Sequence, residues 1–258
     1  MLWGNFAVRG LEGRKIIVTG AGSGIGKATA IRLAEEGCTV GLFDLNINAA
    51  QAVADGIGGA ASAYKVDISD YANVQQAVAA FEGANGPADG LANVAGWDQG
   101  ANFLDTDPAL WEKIVRINLF GSFNMHHVVV RGMAERGAGR VVNVSSDAGR
   151  VGSSGEGVYS ACKGGIIAFT KTMARELARK NVTLNVLCPG PTDTPLFADF
   201  TKDMAGGDRI REGLAKAIPL RRLGQPDDYP GLIAFLLSDD AAFMTGQTIS
   251  ISGGLTMS

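Results

Sequence analysis

Short apolar runs alternate with longer amphipathic ones along almost the whole chain. The stretches "KIIVTG" (15–20), "TVGLFD" (39–44), "ASAYKVD" (61–67), "ADGLANVAG" (88–96), "GRVVNVSS" (139–146), "VTLNVLCPG" (182–190) and "QTISISGG" (247–254) read as seven strands. Between them lie helix-like segments: "GIGKATAIRLAEEG", closed by Gly37, then "NAAQAVADGI", "YANVQQAVAAFEG" and a long one over 109–137. A second long helix is expected from about Tyr159 to Arg179, followed after the sixth strand by a helical region that Pro and Gly interrupt. Strands alternating with helices of ~10–20 residues predict βαβ units, and hence a parallel sheet covered on both faces. Near-continuous apolar strands such as "IIV" and "GLANVAG" suit strands buried on both sides. Composition nowhere shifts enough to mark a linker, and no repeat is visible. The expectation is a single doubly wound α/β domain with seven parallel strands, spanning residues 1–258.

Composition narrows the partners. The 258 residues are 46% hydrophobic and 19% charged, with a net charge of -3 and scattered basic positions. A nucleic-acid surface would need those bases gathered in a stripe. Apolar runs stop well short of the ~20 residues that cross a membrane. The opening "MLWGNFAVRG" lacks the basic head and apolar core of a secretory signal, and reads as a loose arm before the first strand. Cys38, Cys162 and Cys188 show no CxxC spacing, which argues against disulfide or zinc frameworks and fits a reducing cytoplasm. His126 and His127 are adjacent, so on a helix they point in different directions; no metal site is expected, and they read as ordinary helix residues.

Chemistry gathers first at "TGAGSGIG" (19–26), between the first strand and the first helix. Glycines there let the backbone turn tightly and approach a pyrophosphate, whose charge meets the helix N-terminus. A glycine run alone is weak evidence, because a structural turn needs the same residues. Asp44 adds to it: an acid at the end of the second strand, at the spacing expected for one bonding the adenosine ribose hydroxyls. A helix cap is its bland alternative. A carboxylate at that place repels a 2′-phosphate and predicts NAD rather than NADP.

The second constellation is "SSD" (145–147) after the fifth strand, followed by "VYSACKGG" (158–165). Tyr159 and Lys163 are one helical turn apart with small residues between them, so both rise from one helix face. A free phenol titrates near pH 10, and each unit of depression takes ~1.4 kcal/mol. The lysine ammonium, together with a cationic nicotinamide, is expected to lower the Tyr159 pKa enough for proton exchange near pH 7 to 9.

Taken in order, "TGAGSGIG", "VDI" with Asp67, "NVAG" with Asn93, Asn118 in the long helix, "VVNVSS", "YSACK" and "PGPTDT" resemble the short-chain dehydrogenase/reductase family over essentially the whole chain. Val94 departs from the second asparagine common in the family, and Thr192 from an isoleucine. The resemblance implies a Rossmann fold binding NAD. It makes Tyr159 the general acid/base, Ser146 the partner of the carbonyl oxygen and Lys163 the ribose ligand. Asn118 would anchor a water leading from Lys163 to solvent. Asp67 would contact the adenine, Asn93 the adenosine side, and Thr192 and Thr194 the carboxamide end. Gly20, Ser23, Gly24, Ile25, Gly26, Leu45, Ile68, Ala95, Gly96, Pro189 and Gly190 complete the implied cofactor contacts. Cys162 reads as a packing residue.

Within the family, "AGWDQ", "SDAGRVGSSGEGVYSACKGG" and the C-terminal stretch resemble the branch containing 2-hydroxycyclohexanecarboxyl-CoA dehydrogenase. Enzymes of cyclohexanol and 1-arylethanols lie near it. The implied reaction joins a secondary alcohol and its ketone, free or as a CoA thioester. Trp97, Val151, Gly152, Ser153, Leu196 and Phe197 are the expected substrate wall, and residues 194–219 the expected lid. Arg150, Arg209 and Arg211 are candidates for a CoA phosphate, or are simply solvated. Two alternatives stay open: an NADP-linked 3-oxoacyl thioester reductase, and a non-catalytic cofactor sensor, which would not be expected to keep both Tyr159 and Lys163. The family resemblance further implies a homotetramer built on the two long helices, with the apolar tail "ISGGLTM" against a neighbour.

Overall fold

The computed structural model describes residues 8–203 and 207–257. The expected N-terminal arm lies mostly outside them, as does Gly206 of the expected lid. Seven strands form one parallel sheet: β1 (Lys15–Thr19), β2 (Thr39–Asp44), β3 (Ala61–Lys65), β4 (Gly90–Asn93), β5 (Gly139–Val144), β6 (Val182–Pro189) and β7 (Thr248–Ile251). Their spatial order is β3-β2-β1-β4-β5-β6-β7, with Val18 level with Leu42 on one side and with Ala92 on the other. Several strands stop two or three residues before the apolar pattern does. Residues 94–96 and 145–146 leave the sheet at its carboxyl edge and turn into the cleft below.

Helices α1 (Gly24–Glu35), α2 (Ile47–Ile57) and α3 (Tyr71–Asn85) follow the first three strands. A long helix α4 over 108–136 follows β4, and α5 (Gly157–Leu177) follows β5. After β6 come α6 (Pro195–Asp203), α7 (Gly207–Ala217) and α8 (Pro230–Leu237). Alternate side chains of β1 feed the two cores. Ile16 and Val18 pack with Leu33 of α1, Val53 of α2 and Ile233 and Leu237 of α8. Ile17, one residue out of phase, packs with Phe81 of α3, Met125 and Val129 of α4 and Ala174 of α5.

Helix α4 is not the uninterrupted α-helix expected from its sequence. It contains two π-helical segments, Arg116–Phe120 and His126–Val130. Polar side chains at four-residue intervals take over carbonyls within it. The Asn118 amide donates to Ile114 O (2.9 Å), Ser122 Oγ to Asn118 O (3.1 Å), and His126 Nδ1 to Ser122 O (2.7 Å). Such bulges put extra width where a helix serves a site.

Candidate active site

The strand order reverses on either side of β1, and at such a switch point the carboxyl ends of β1 and β4 open a crevice. A cavity of about 1140 Å³ fills it. Its floor is the glycine loop. Gly20 and Gly24 hold φ of +67° and +51°, which favours glycine. A Cβ on Gly26 would lie 2.0 Å from the Gly20 carbonyl oxygen, so only glycine lets α1 approach the end of β1 this closely. Asp44 accepts from the Gly22 amide and from the Asn46 amide, both at 2.8 Å. It is not the cap of α2, since Asn46 fills that role through the Ala49 amide. The Asp44 carboxylate thus braces the loop at the cleft edge, and Asp67 beside it is held by Ser69 at 2.7 Å.

Every residue expected to touch cofactor lines this cavity except Asn93, and every expected substrate-wall residue lines it too. Asn93 requires a correction. It is 3% exposed, accepts from Thr19 Oγ1 (3.1 Å), and donates to Ser122 Oγ (3.1 Å) and Asn143 Oδ1 (3.2 Å). Its amide ties β1, β4, β5 and α4 together inside the protein, so the residue supports the cleft from behind. Val94 keeps its strand-end bond through the backbone, donating to Thr19 Oγ1 at 2.9 Å. Thr192 turns its hydroxyl to Gly190 O (2.8 Å) and to the Tyr229 hydroxyl. Thr194 accepts from the Phe197 amide at 3.2 Å and so caps α6.

Ser146 leaves β5 at the cleft wall opposite the glycine loop, while Tyr159 and Lys163 face it from α5. Lys163 Nζ donates to Val144 O at 3.0 Å, and Ser145 Oγ fixes the lysine backbone at 2.8 Å. A Cβ built on Gly96 would stand 3.2 Å from that ammonium and 3.0 Å from Asn118 Oδ1. The absent side chain therefore opens the space beside the lysine. Asn118 does not line the cavity. Its amide donates to Trp97 O (2.6 Å) and its oxygen accepts from Trp97 N (3.2 Å), which fixes the loop behind Gly96.

In the protein itself the direction at Tyr159 is upward. Burial raises its pKa, the Glu156 and Asp98 carboxylates raise it further, and the Ser146 hydroxyl pulls it back by hydrogen bonding. Lys163 Nζ lies 5.4 Å from the ring centre, and burial lowers its own pKa to about 8. Desolvation is the largest influence on both groups. Cys162 packs with Ile114 and Ala148, and burial raises its pKa, as suits a packing residue.

Two acids that spacing alone did not single out, Asp98 and Glu156, also line the cleft. Asp98 was legible only as part of "AGWDQ", and Glu156 as a charge among glycines and serines. Lys113 holds its ammonium 3.6 Å over the Trp97 ring. Of the candidate phosphate ligands, Arg150 is committed to Ser250 Oγ (2.7 Å) and Arg211 to Asp193 (2.6 Å), whereas Arg209 is exposed. In the tail, Leu255 and Thr256 line the cleft.

A doubly wound parallel sheet with a glycine-loop cleft at its switch point, faced by a Ser–Tyr–Lys group, defines a dinucleotide-binding oxidoreductase. The family profile described as enoyl-(acyl carrier protein) reductase matches residues 20–256. The chain is 36% identical over 250 residues to the 3-oxoacyl-[acyl-carrier-protein] reductase FabG of Thermotoga maritima, covering 96% of this chain and 99% of that one. It is 39% identical over 242 residues to the acetoacetyl-CoA reductase of Shinella zoogloeoides, covering 93% and 98%. The 3-ketoacyl-(acyl-carrier-protein) reductase of Brucella melitensis, solved with NADH, superposes with a TM-score of 0.89 at 33% identity, covering 96% and 100%. Levodione reductase superposes at 0.91 with 31% identity, covering 94% and 97%. The protein belongs to the short-chain dehydrogenase/reductase family and is an oxidoreductase of that family.

Proposed function

We propose that the protein interconverts a secondary alcohol and its ketone with NAD as hydride carrier, on an alicyclic or aromatic substrate. In this reading Tyr159 exchanges the proton with the reacting oxygen and Ser146 hydrogen-bonds that oxygen. Lys163 holds the ribose, and Asn118 shapes the proton path beside Gly96. Bound NAD supplies the hydride acceptor and a positive ring whose charge favours the phenolate that burial otherwise disfavours. The observation that carries the reading is that Ser146 and Tyr159 face one cleft beside a lysine anchored on Val144 O at 3.0 Å.

The choice of NAD draws on the adenosine end of the cleft. Ser23, Asp44, Leu45, Asp67, Ile68 and Ser69 line it; two are acids and none is a base, so a 2′-phosphate meets repulsion. Leu196, Phe197 and Phe200 of α6, with Ile210 and Leu214 of α7, turn an apolar face to the cleft. This supports the segment 194–219 as a lid over a ring-shaped substrate. A thioester substrate, such as 2-hydroxycyclohexanecarboxyl-CoA or a 3-oxoacyl thioester, is the second reading, favoured by the names of the similar reductases. Assembly as a homotetramer through α4 and α5 belongs to the same proposal and draws on the exposed Phe120 on α4.

Steady-state oxidation of cyclohexanol, a 1-arylethanol and a hydroxyacyl-CoA with NAD+ and NADP+ tests the reading. NAD+-dependent turnover of a ring alcohol is expected. Tyr159→Phe should lower kcat/KM by about 10²–10⁴-fold while leaving NAD+ binding by fluorescence nearly unchanged. A Phe variant with wild-type turnover would overturn the assignment of Tyr159.

A further inference from the structure

Two carboxyl groups at the substrate end of the cleft have no part in the proton transfer just described. Asp98 follows Trp97, whose backbone is clamped by the Asn118 amide at 2.6 and 3.2 Å, so its side chain enters from a fixed loop. Glu156 precedes α5 and stands three residues before Tyr159. Both line the cleft. Asp98 is 6% exposed, and among the described residues neither of its oxygens has a hydrogen-bond partner. The Gln99 amide lies near it without reaching hydrogen-bond geometry, and the other group at hand is the Glu156 carboxyl. Behind the pair is a recess of about 10 Å³ bounded by Phe103 and Trp111, room for about one water.

Two carboxyls in contact away from water share one proton. The N-terminus of α5 favours the negative charge on Glu156, and the Ser153 side chain nearby offsets part of the burial that raises its pKa. The shared proton therefore sits on Asp98, directed at Glu156. Burial and the Glu156 charge push Asp98 up to about 7, in agreement with that placement. Asp98 still has an oxygen with no donor, and Glu156, half-buried at the wall, carries the pair's single negative charge toward the cleft. The Asp98 oxygens are closed to the cleft, so Glu156 is the acceptor that a ligand donor meets, and an acceptor left unpaired against an apolar ligand is costly.

We propose that Asp98 and Glu156 act together as a proton-sharing acceptor pair that selects secondary alcohols or ketones carrying a second hydrogen-bond donor, a hydroxyl or an ammonium group, on a neighbouring carbon. This rests on the reading of Tyr159 as the residue that meets the reacting oxygen. An alkyl group at the same place leaves the Glu156 acceptor unpaired, and a carboxylate meets like charge.

The test compares NAD+-dependent kcat/KM for trans-1,2-cyclohexanediol, trans-2-aminocyclohexanol, cyclohexanol and 3-hydroxybutyrate. The diol or the amino alcohol should exceed cyclohexanol by at least about 10-fold, with 3-hydroxybutyrate lowest. In Asp98→Asn and Glu156→Gln the donor-to-cyclohexanol ratio, read within each protein, should fall toward one. Should a variant be inactive, binding of trans-2-aminocyclohexanol to the NAD+-loaded protein by calorimetry replaces the rate, with a loss of at least about 10-fold expected. Wild-type turnover of cyclohexanol equal to or faster than that of both donor substrates overturns the acceptor pair and leaves the alcohol dehydrogenase reading standing. A preference that survives both substitutions overturns it equally. No turnover of any alcohol with either NAD+ or NADP+ overturns the reading beneath it as well.

Discussion

Acidification is expected to unfold the protein partly through His126. The ring lies inside α4 at 2% exposure, between the sheet and α5. Its Nδ1–H donates to Ser122 O at 2.7 Å, and its Nε2 accepts from the Asn143 amide at 3.1 Å, which fixes the neutral tautomer. Asn143 also reaches Thr170 of α5 (2.9 Å) and accepts from Asn93 (3.2 Å). A proton on Nε2 would turn the acceptor of this network into a second donor facing a donor. Burial lowers the His126 pKa from 6.5 to about 4. The unfolded chain therefore binds the proton first as pH falls, and the stability from the neutral ring, fully present above about pH 6.5, is lost progressively down to about pH 4. Linkage gives about 2 kcal/mol lost between pH 7 and 5, and about 3 kcal/mol by pH 4. Other groups titrate in the same window, Asp98 among them and with the opposite sign, so the measurement is a difference. Urea unfolding of the wild type and of His126→Gln is followed from pH 7.5 to 4.5. The variant is less stable at pH 7.5, and the gap narrows by about 2 kcal/mol on acidification. A gap that stays constant would show that His126 titrates alike in both states, and the network argument would fail.

Gly26→Ala should cost several kcal/mol or prevent folding, because a Cβ 2.0 Å from the Gly20 carbonyl meets backbone that cannot yield; thermal melting with and without NAD+ reads both stability and binding. Gly121→Ala is milder. Its Cβ would come 2.7 Å from Ile68 Cδ1, a side-chain end able to shift, so a loss of about 1–3 kcal/mol in urea unfolding is expected. Asp44→Ser should raise the NADP+ to NAD+ ratio of kcat/KM by at least about 10-fold, since it removes about one charge of repulsion at the ribose; an unchanged ratio would mean that Asp44 serves only as the brace of Gly22.

Much of this protein could be read along the chain. Apolar runs marked all seven strands, most continuously β1, β2, β4, β5 and β6, because a strand buried on both faces leaves no room for polar positions. The glycine loop, Ser146, Tyr159 and Lys163 were legible because their chemistry depends on local spacing: a turn needing positive φ, or one helical turn between two side chains. The sequence by itself determined the parallel sheet, together with the glycine loop and the Ser–Tyr–Lys group that reach into the cleft, whereas the strand order that reverses at β1 came from the fold. Only the packed structure decided properties that depend on what surrounds a group. Asn93 looked like a cleft residue and became an interior tie, because Thr19, Ser122 and Asn143 arrive from three other elements. Asp98 and Glu156 are 58 positions apart in the chain, yet they meet at one wall and push the Tyr159 pKa upward, against the sign expected from Lys163 alone. Desolvation is the reason: it depends on every neighbour at once, and no spacing of residues along a chain encodes it.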